Sequence, residues 1–269
     1  MSTAVRTYRG TSPEDRKQAQ LRIFTALEDQ QEQMIALAPK GYEADYFFAS
    51  LKLYCAANPR LLDCHPVSVA RAMLRVAQTG LELGVSCDIL PFESGKGGPA
   101  RAQFNPRTNG LVELMLKAGV RSVNFGVVRA GDEFRFVQGA PPTVHHVPAE
   151  RDRGAILRAW SAIETKLGSF QITVMNREEI DAIRRQFSKS WWQKSGEVIP
   201  LEDIPWYAAK TVLRQGAKYA PKSPRLAAAL RYDPAEEVEI EHVSPVPALP
   251  AEDLRGEVPS GDRELGEEG

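Results

Sequence analysis

The sequence predicts an α+β fold: a small antiparallel sheet with packed helices, a helical N-terminal arm and a disordered acidic C-terminal tail. Three observations predict it. Apolar residues recur at helical spacing over residues 43–57, 66–81 and 110–118 and again over 203–220. Between these segments run short stretches of two-residue alternation, broken by glycine-containing turns. Beyond Arg231 the chain is Pro, Glu and Gly with few large apolar groups, too few to offset the entropy of ordering it. The predicted organisation is an arm over residues 1–37, a core over 38–232 and the tail over 233–269. Hydrophobic residues make up 43% of the 269, enough for a sizeable core.

Residues 1–35 are polar and Gln-rich. The apolar stripe of Phe24, Leu27, Met34 and Leu37 has no evident intrachain partner in a linear reading, so it packs either on a second subunit or on its own core. Tyr46, Phe47, Leu51, Leu53 and Tyr54 follow near-helical spacing until Asn58-Pro59, where the residue before proline leaves the α region. Pro66 starts a second helix with Val69, Met73, Val76, Ala77 and Leu81 on one broad face, and Gly80 and Gly84 weaken its end. Residues 88–92 read as a strand, 94–99 as a glycine-rich turn and 100–104 as the returning strand. A third helix carries Leu111, Leu114 and Met115 on one face, with Gly119 as its C-terminal cap. Val123, Phe125 and Val127 alternate, as do Phe134 and Phe136, with Gly131-Asp132 as a turn between. Residues 155–164 and 170–175 form a hairpin across Leu167-Gly168-Ser169. Asn176 and Glu179 make a helix-start signal ahead of Ile180, Ile183 and Phe187. A Trp-rich loop over 188–200 leads to the last helix, closed by Pro221 and Pro224.

No apolar run approaches the roughly 20 residues of a membrane helix, and the first ten residues lack the apolar core of a signal peptide, so cytoplasmic residence and no membrane partner are expected. Cys55, Cys64 and Cys87 form no CxxC pair and read as buried thiols. The GxxxxGK[ST] and GxGxxG patterns are absent, as are GxSxG and HExxH. His145 and His146 are adjacent on an extended stretch and point to opposite faces, poor geometry for one metal. The Asp132-Glu133 and Glu178-Glu179 carboxylates fit turn and helix-start chemistry. Neither a covalent active site nor a required cofactor is expected.

Net charge is only -1, yet it is unevenly placed. Residues 91–225 hold 21 Lys/Arg against 13 Asp/Glu, whereas residues 233–269 hold 2 against 12. A basic middle with an acidic tail fits a polyanion partner for the body, or an ordinary solvated surface. In the last helix, Lys210, Arg214 and Lys218 are spaced by four, and no acidic residue occurs between Ile204 and Leu230. Like charges at that spacing disfavour the helix by roughly 0.2–0.5 kcal/mol per pair, which a phosphate backbone would relieve. Lys222 and Arg225 extend the run, while Trp206, Ala209, Leu213 and Ala217 are expected to anchor the helix to the core. Lys189, Trp191, Trp192 and Lys194 offer stacking faces beside phosphate contacts, unless the tryptophans pin the loop to the core or to a second subunit. Arg107, Lys117 and Arg121 flank the third helix; the latter two serve equally as partners for its negative end.

Three groups of motifs, in order, carry a family resemblance. Asn58-Pro59-Arg60-Leu61-Leu62-Asp63-Cys64, Val76-Ala77-Gln78-Thr79-Gly80-Leu81-Glu82 and Leu90-Pro91-Phe92 resemble the N-terminal half of the RecT core. Gln103-Phe104, Asn109-Gly110-Leu111-Val112-Glu113-Leu114 and Gly131-Asp132-Glu133-Phe134 resemble its middle. Val174 to Ile180, Pro205-Trp206, Lys210 to Arg214 and Lys218-Tyr219-Ala220-Pro221 resemble its end. The likeness runs from about residue 35 to 225. Where the family often has a basic residue before the glycine of the third helix, this chain has Asn109, with Arg107 two positions earlier; its basic pair after Thr-Val is here Arg214-Gln215. The resemblance implies a phage- or prophage-encoded recombinase that binds single-stranded DNA and anneals complementary strands through a duplex intermediate without ATP. It also implies rings or helical filaments of the protein itself, a 5′-to-3′ exonuclease and a host single-strand-binding protein as partners, and a bacterial cytoplasm. Modulation of DNA binding by Mg2+ is left open. A DNA-processing nuclease, a regulatory duplex-DNA binder and an RNA-binding module are the competing readings.

Overall fold

Helix α4 (Pro66–Thr79) organises the larger core, because its apolar residues recur on one face while Arg71 and Arg75 stay exposed. Gly80 ends it in the left-handed conformation, with φ 67°, as glycine readily allows. The structure, a computed structural model, describes residues 12–40, 43–92, 99–188 and 198–231. The acidic tail lies outside them, as do Lys189, Trp191, Trp192 and Lys194.

Helices α1 (Pro13–Glu28) and α2 (Gln31–Leu37) pack on α4. A capping box starts α1: Ser12 Oγ accepts from the Asp15 amide at 3.1 Å, and Asp15 accepts from the Ser12 amide at 3.2 Å. The stripe finds a partner in its own chain, since Leu27 and Met34 are buried in the larger core with Ile23 beside them and Phe24 packs against it. Leu37 stays exposed. In α3 (Ala44–Ala57) the core side chains are Phe47, Leu51 and Cys55, whereas Tyr46 and Leu53 face solvent. A 3-10 turn over Pro59–Asp63 follows. All three cysteines are buried free thiols, and burial pushes those of Cys55 and Cys87 up to about 12.

Strands β1 (Cys87–Phe92) and β2 (Arg101–Pro106) form the expected hairpin, with Ile89 opposite Phe104. Helix α5 (Thr108–Lys117) buries Leu111, Leu114 and Met115, and Gly119 beyond it has φ 103°. Gly110 is required by close approach: a Cβ there would overlap the Ser86 carbonyl.

Strands β3 (Val120–Arg129), β6 (Ile156–Thr165) and β7 (Phe170–Asn176) make a three-stranded antiparallel sheet in the order β3-β6-β7. Strand β4 (Glu133–Val137) follows β3 across the expected turn but does not pair with it. Its partner is β5 (Thr143–Val147), the expected extended stretch, on which His145 is exposed and His146 turns inward. Thus the β structure is three small antiparallel sheets among eight α-helices in the described residues. Helix α6 (Arg177–Phe187) starts at the predicted capping box, where Asn176 accepts from the Glu179 amide at 2.8 Å and its own amide donates to Glu179 at 2.8 Å. After a 3-10 turn over Leu201–Asp203 comes α7 (Pro205–Ala217), then α8 (Pro224–Leu230). Helix α7 ends at Ala217, ahead of both expected prolines, and Pro224 opens α8 instead of closing α7: Ser223 Oγ accepts from the Leu226 amide at 3.1 Å.

Helix α7 lies across the three-stranded sheet. Gly216 allows this approach, since a Cβ there would sit 2.6 Å from Ser161 Oγ. Ser161 itself donates to the Val212 carbonyl at 3.3 Å. A second core of Ile156, Ala159, Met175, Ile180, Leu201, Ala208 and Val212 fills the space between sheet, α6 and α7.

Candidate nucleic-acid interface

Helix α7 fixes where the predicted cations go. Its buried residues are Ala208, Thr211, Val212, Leu213, Gly216 and Ala217. Of the expected anchors, Leu213 and Ala217 are buried and Ala209 is half-buried. Trp206 is not an anchor: it is 62% exposed, because the sheet side of α7 is set by the small residues Ala208 and Gly216. Lys210 and Arg214, one turn apart, emerge half-buried beside β2 and α8.

The Lys210 ammonium donates to Asn105 Oδ1 at 2.8 Å, which ties α7 to β2. Its pKa is depressed from 10.5 to about 8, first by burial, then by the nearby positive charge of Arg214; Asp88 acts in the opposite sense and Arg107 in the same sense as Arg214. The carboxylate nearby is already engaged. Arg107 Nε donates to Asp88 Oδ2 at 2.6 Å and its Nη2 donates to Oδ1 at 2.7 Å, a bidentate pair. Arg107 is the N-cap residue of α5, and Asn109 in the first turn donates to the Val85 carbonyl at 3.0 Å. Arg214 donates to the Leu230 carbonyl at 3.2 Å, holding the end of α8. The long-range pairings of β2, α5 and α7 thus bring Arg107 to Lys210 and Arg214, which the sequence places more than a hundred positions away from it.

Lys218 and Lys222 are exposed beyond the end of α7 and have no ion-pair partner among the described residues. Lys117 and Arg121 differ. Lys117 pairs with Glu113 at 2.6 Å and Arg121 with Glu164 at 3.1 Å. Exposed pairs of this kind are worth little and exchange partners readily. Neither joins the Lys210 cluster, consistent with the alternative that they serve local structure.

A second polar centre was not legible as a unit in the sequence. Asp132, whose side chain is fully buried, accepts from Arg153 Nε at 2.8 Å and Nη2 at 2.6 Å and from the amides of Arg129 at 2.8 Å and Ala149 at 3.0 Å. His146 Nε2 lies 3.1 Å from Asp132 Oδ2. Trp160 Nε1 can only donate, and it donates to His146 Nδ1 at 3.0 Å, so Nε2 carries the hydrogen toward Asp132. Arg153 beside it, with the backbone amides, holds the Asp132 carboxyl well below the usual carboxylate range. Likewise the Arg177 guanidinium, 2.6 Å from Glu202, lowers that carboxyl to about 2 and joins α6 to the 3-10 turn before α7. Among the described residues no group of three or more His, Cys, Asp or Glu could hold a metal ion, and no helix is long and apolar enough to cross a membrane.

A family model described as the RecT family matches residues 49–246. The chain is also 28% identical over 216 residues to Protein RecT of Escherichia coli (strain K12), an alignment covering 78% of this chain and 78% of that protein. The match runs past Tyr232 into the acidic segment, beyond the likeness read from the sequence motifs. The ordered motifs and the family match over most of its length agree: the chain belongs to the RecT family and is a recombination protein of the RecT kind.

Proposed function

We propose that the protein binds single-stranded DNA and anneals complementary strands without ATP during homologous recombination in a bacterial host. The observation that carries this reading is the lysine and arginine stripe of α7, acid-free from Ile204 to Leu230, meeting Arg107 in a family member. Annealing breaks no covalent bond. It requires that phosphate repulsion between two strands be screened and that bases stay accessible for pairing, and a groove of lysines and arginines does the first by releasing counterions. In this reading Lys210, Arg214, Lys218 and Lys222 contact phosphates, Arg107 orders the site through Asp88 and reaches the strand from α5, and the loop cations Lys189 and Lys194 with Trp191 and Trp192 extend it. Subunits join along the strand, because avidity lengthens a groove too short for many bases. An exonuclease supplies the single strands.

Competition tests this reading. Labelled single-stranded DNA is challenged with unlabelled single strand, duplex DNA and RNA of the same sequence, in parallel with a divalent-metal cleavage assay. Preference for single-stranded DNA without cleavage is expected. Preference for duplex, or metal-dependent cleavage, would move the assignment to a regulatory binder or a nuclease.

A further inference from the structure

We infer that Trp206 is a stacking platform for a DNA base, placed one helical turn ahead of the phosphate-binding Lys210. The inference rests on the single-strand reading above and adds a residue that reads as a core anchor in the sequence.

A tryptophan buries 150–250 Å² in a core or interface, by the usual range for large aromatics, about the largest apolar contribution of any side chain. Trp206 forgoes most of that, at 62% exposed, although its neighbours Leu201, Ala208 and Val212 are fully buried. It has the support that a stacking surface needs. The Tyr207 ring meets it edge-on, with centroids 6.1 Å apart and planes at 65°. Tyr207 is packed against the second core, and burial raises its hydroxyl pKa. The supporting ring is therefore fixed. Among the described residues no cation lies over the Trp206 indole, and its Nε1 makes no hydrogen bond. Trp206, Lys210 and Arg214 fall at i, i+4 and i+8, away from the buried Ala208 and Val212 and along the edge where Leu213 and Ala217 enter the larger core. An apolar ring and a row of cations on one helical stripe match a nucleotide strand, which presents a π-face and a phosphate at each step. A duplex would hide its base faces, so the occupant is a single strand.

The test uses the full chain, an oligo(dT) and an abasic strand of equal length, which keeps the phosphates and removes the bases. In fluorescence anisotropy, Trp206→Ala is expected to weaken oligo(dT) binding by about 5- to 100-fold and to leave the abasic strand within about twofold. Trp206→Phe restores most of the affinity and Trp206→Leu, equally apolar but without a π-face, does not. Unchanged oligo(dT) binding by Trp206→Ala, equal losses on both strands, or full rescue by Leu would each overturn the inference and point to a packing or subunit-contact role. If the unaltered protein bound no oligo(dT), the single-strand reading itself would fall and the stacking with it, a result separable from a failure confined to the variants.

Discussion

Two charged centres of this protein each hold a bidentate Asp–Arg pair and arrive at opposite states. Around Asp132, Arg153 and two backbone amides close every direction of a fully buried carboxylate, and His146 and Trp160 complete a chain of donors and acceptors. Around Lys210, the nearby carboxylate of Asp88 is already claimed by two nitrogens of Arg107, and Arg214 adds further positive charge. The first centre is electrostatically complete, and its work is to join the β4–β5 hairpin to the sheet. The second keeps a lysine under electrostatic pressure that an arriving phosphate would relieve. A buried ion pair by itself is therefore weak evidence for function; an imbalance of partners is the stronger sign.

The largest effect expected from breaking this contrast is at Asp132. Asp132→Ala leaves Arg153 and two amides without their acceptor and should cost about 3–5 kcal/mol, seen as a Tm lower by about 10 °C, with DNA affinity kept below that temperature. Because the folded-state pKa of Asp132 is depressed, its contribution is present above the ordinary carboxylate value and lost as pH falls. Glu202 acts the same way between its ordinary 4.5 and about 2. Acid unfolding monitored by circular dichroism should accordingly be shallower in Asp132→Asn and Glu202→Gln. Next in size is the stripe. Combining Lys210→Ala, Arg214→Ala and Lys218→Ala should weaken single-strand binding by about 100-fold near 0.1 M salt and flatten the slope of log K against log salt by about 0.7 per lost contact. Unaltered affinity in this variant would remove α7 from the interface.

A smaller effect sharpens the same point. With Lys210 titrating at about 8 in the free protein, raising the pH through that value discharges the ammonium, and a phosphate favours the charged form. Affinity should fall with rising pH, by up to about tenfold from pH 7 to 9, and Lys210→Gln should abolish the dependence. The smallest effect concerns the acidic segment. Truncation after Val246, where the family match ends, should leave annealing intact and tighten DNA binding slightly at low salt, where repulsion by the lost carboxylates is least screened. Loss of annealing would assign that segment a direct part.

Local signals in the sequence proved readable. The Asn176 and Glu179 cap, the apolar face of α4 and the hairpins over β1–β2 and β6–β7 all depend on residues close together in the chain. What the sequence hid depends on distant partners. The extended stretch at His145 and His146 was legible, but its pairing with β4 and the hold of Asp132 and Trp160 on His146 were not. Pro224 was read as a stop, yet it sits in the first turn of α8 behind the Ser223 cap, a start that a proline also permits. Trp206 looks like core by hydrophobicity alone, yet Gly216 and Ala208 set the side of α7 that meets the sheet. Of the interface, the α7 cations were visible as a period of four, whereas the approach of Arg107 and Asn105 to Lys210 exists only once β2, α5 and α7 have docked.

The central claim is best tested by following duplex formation between two complementary, fluorescently labelled oligonucleotides with the full chain present and no nucleotide triphosphate. Annealing well above the spontaneous rate is expected, unchanged by added ATP and reduced toward the spontaneous rate when Lys210, Arg214 and Lys218 are together replaced by Ala. Annealing no faster than in buffer, or acceleration that appears only with ATP, would contradict it.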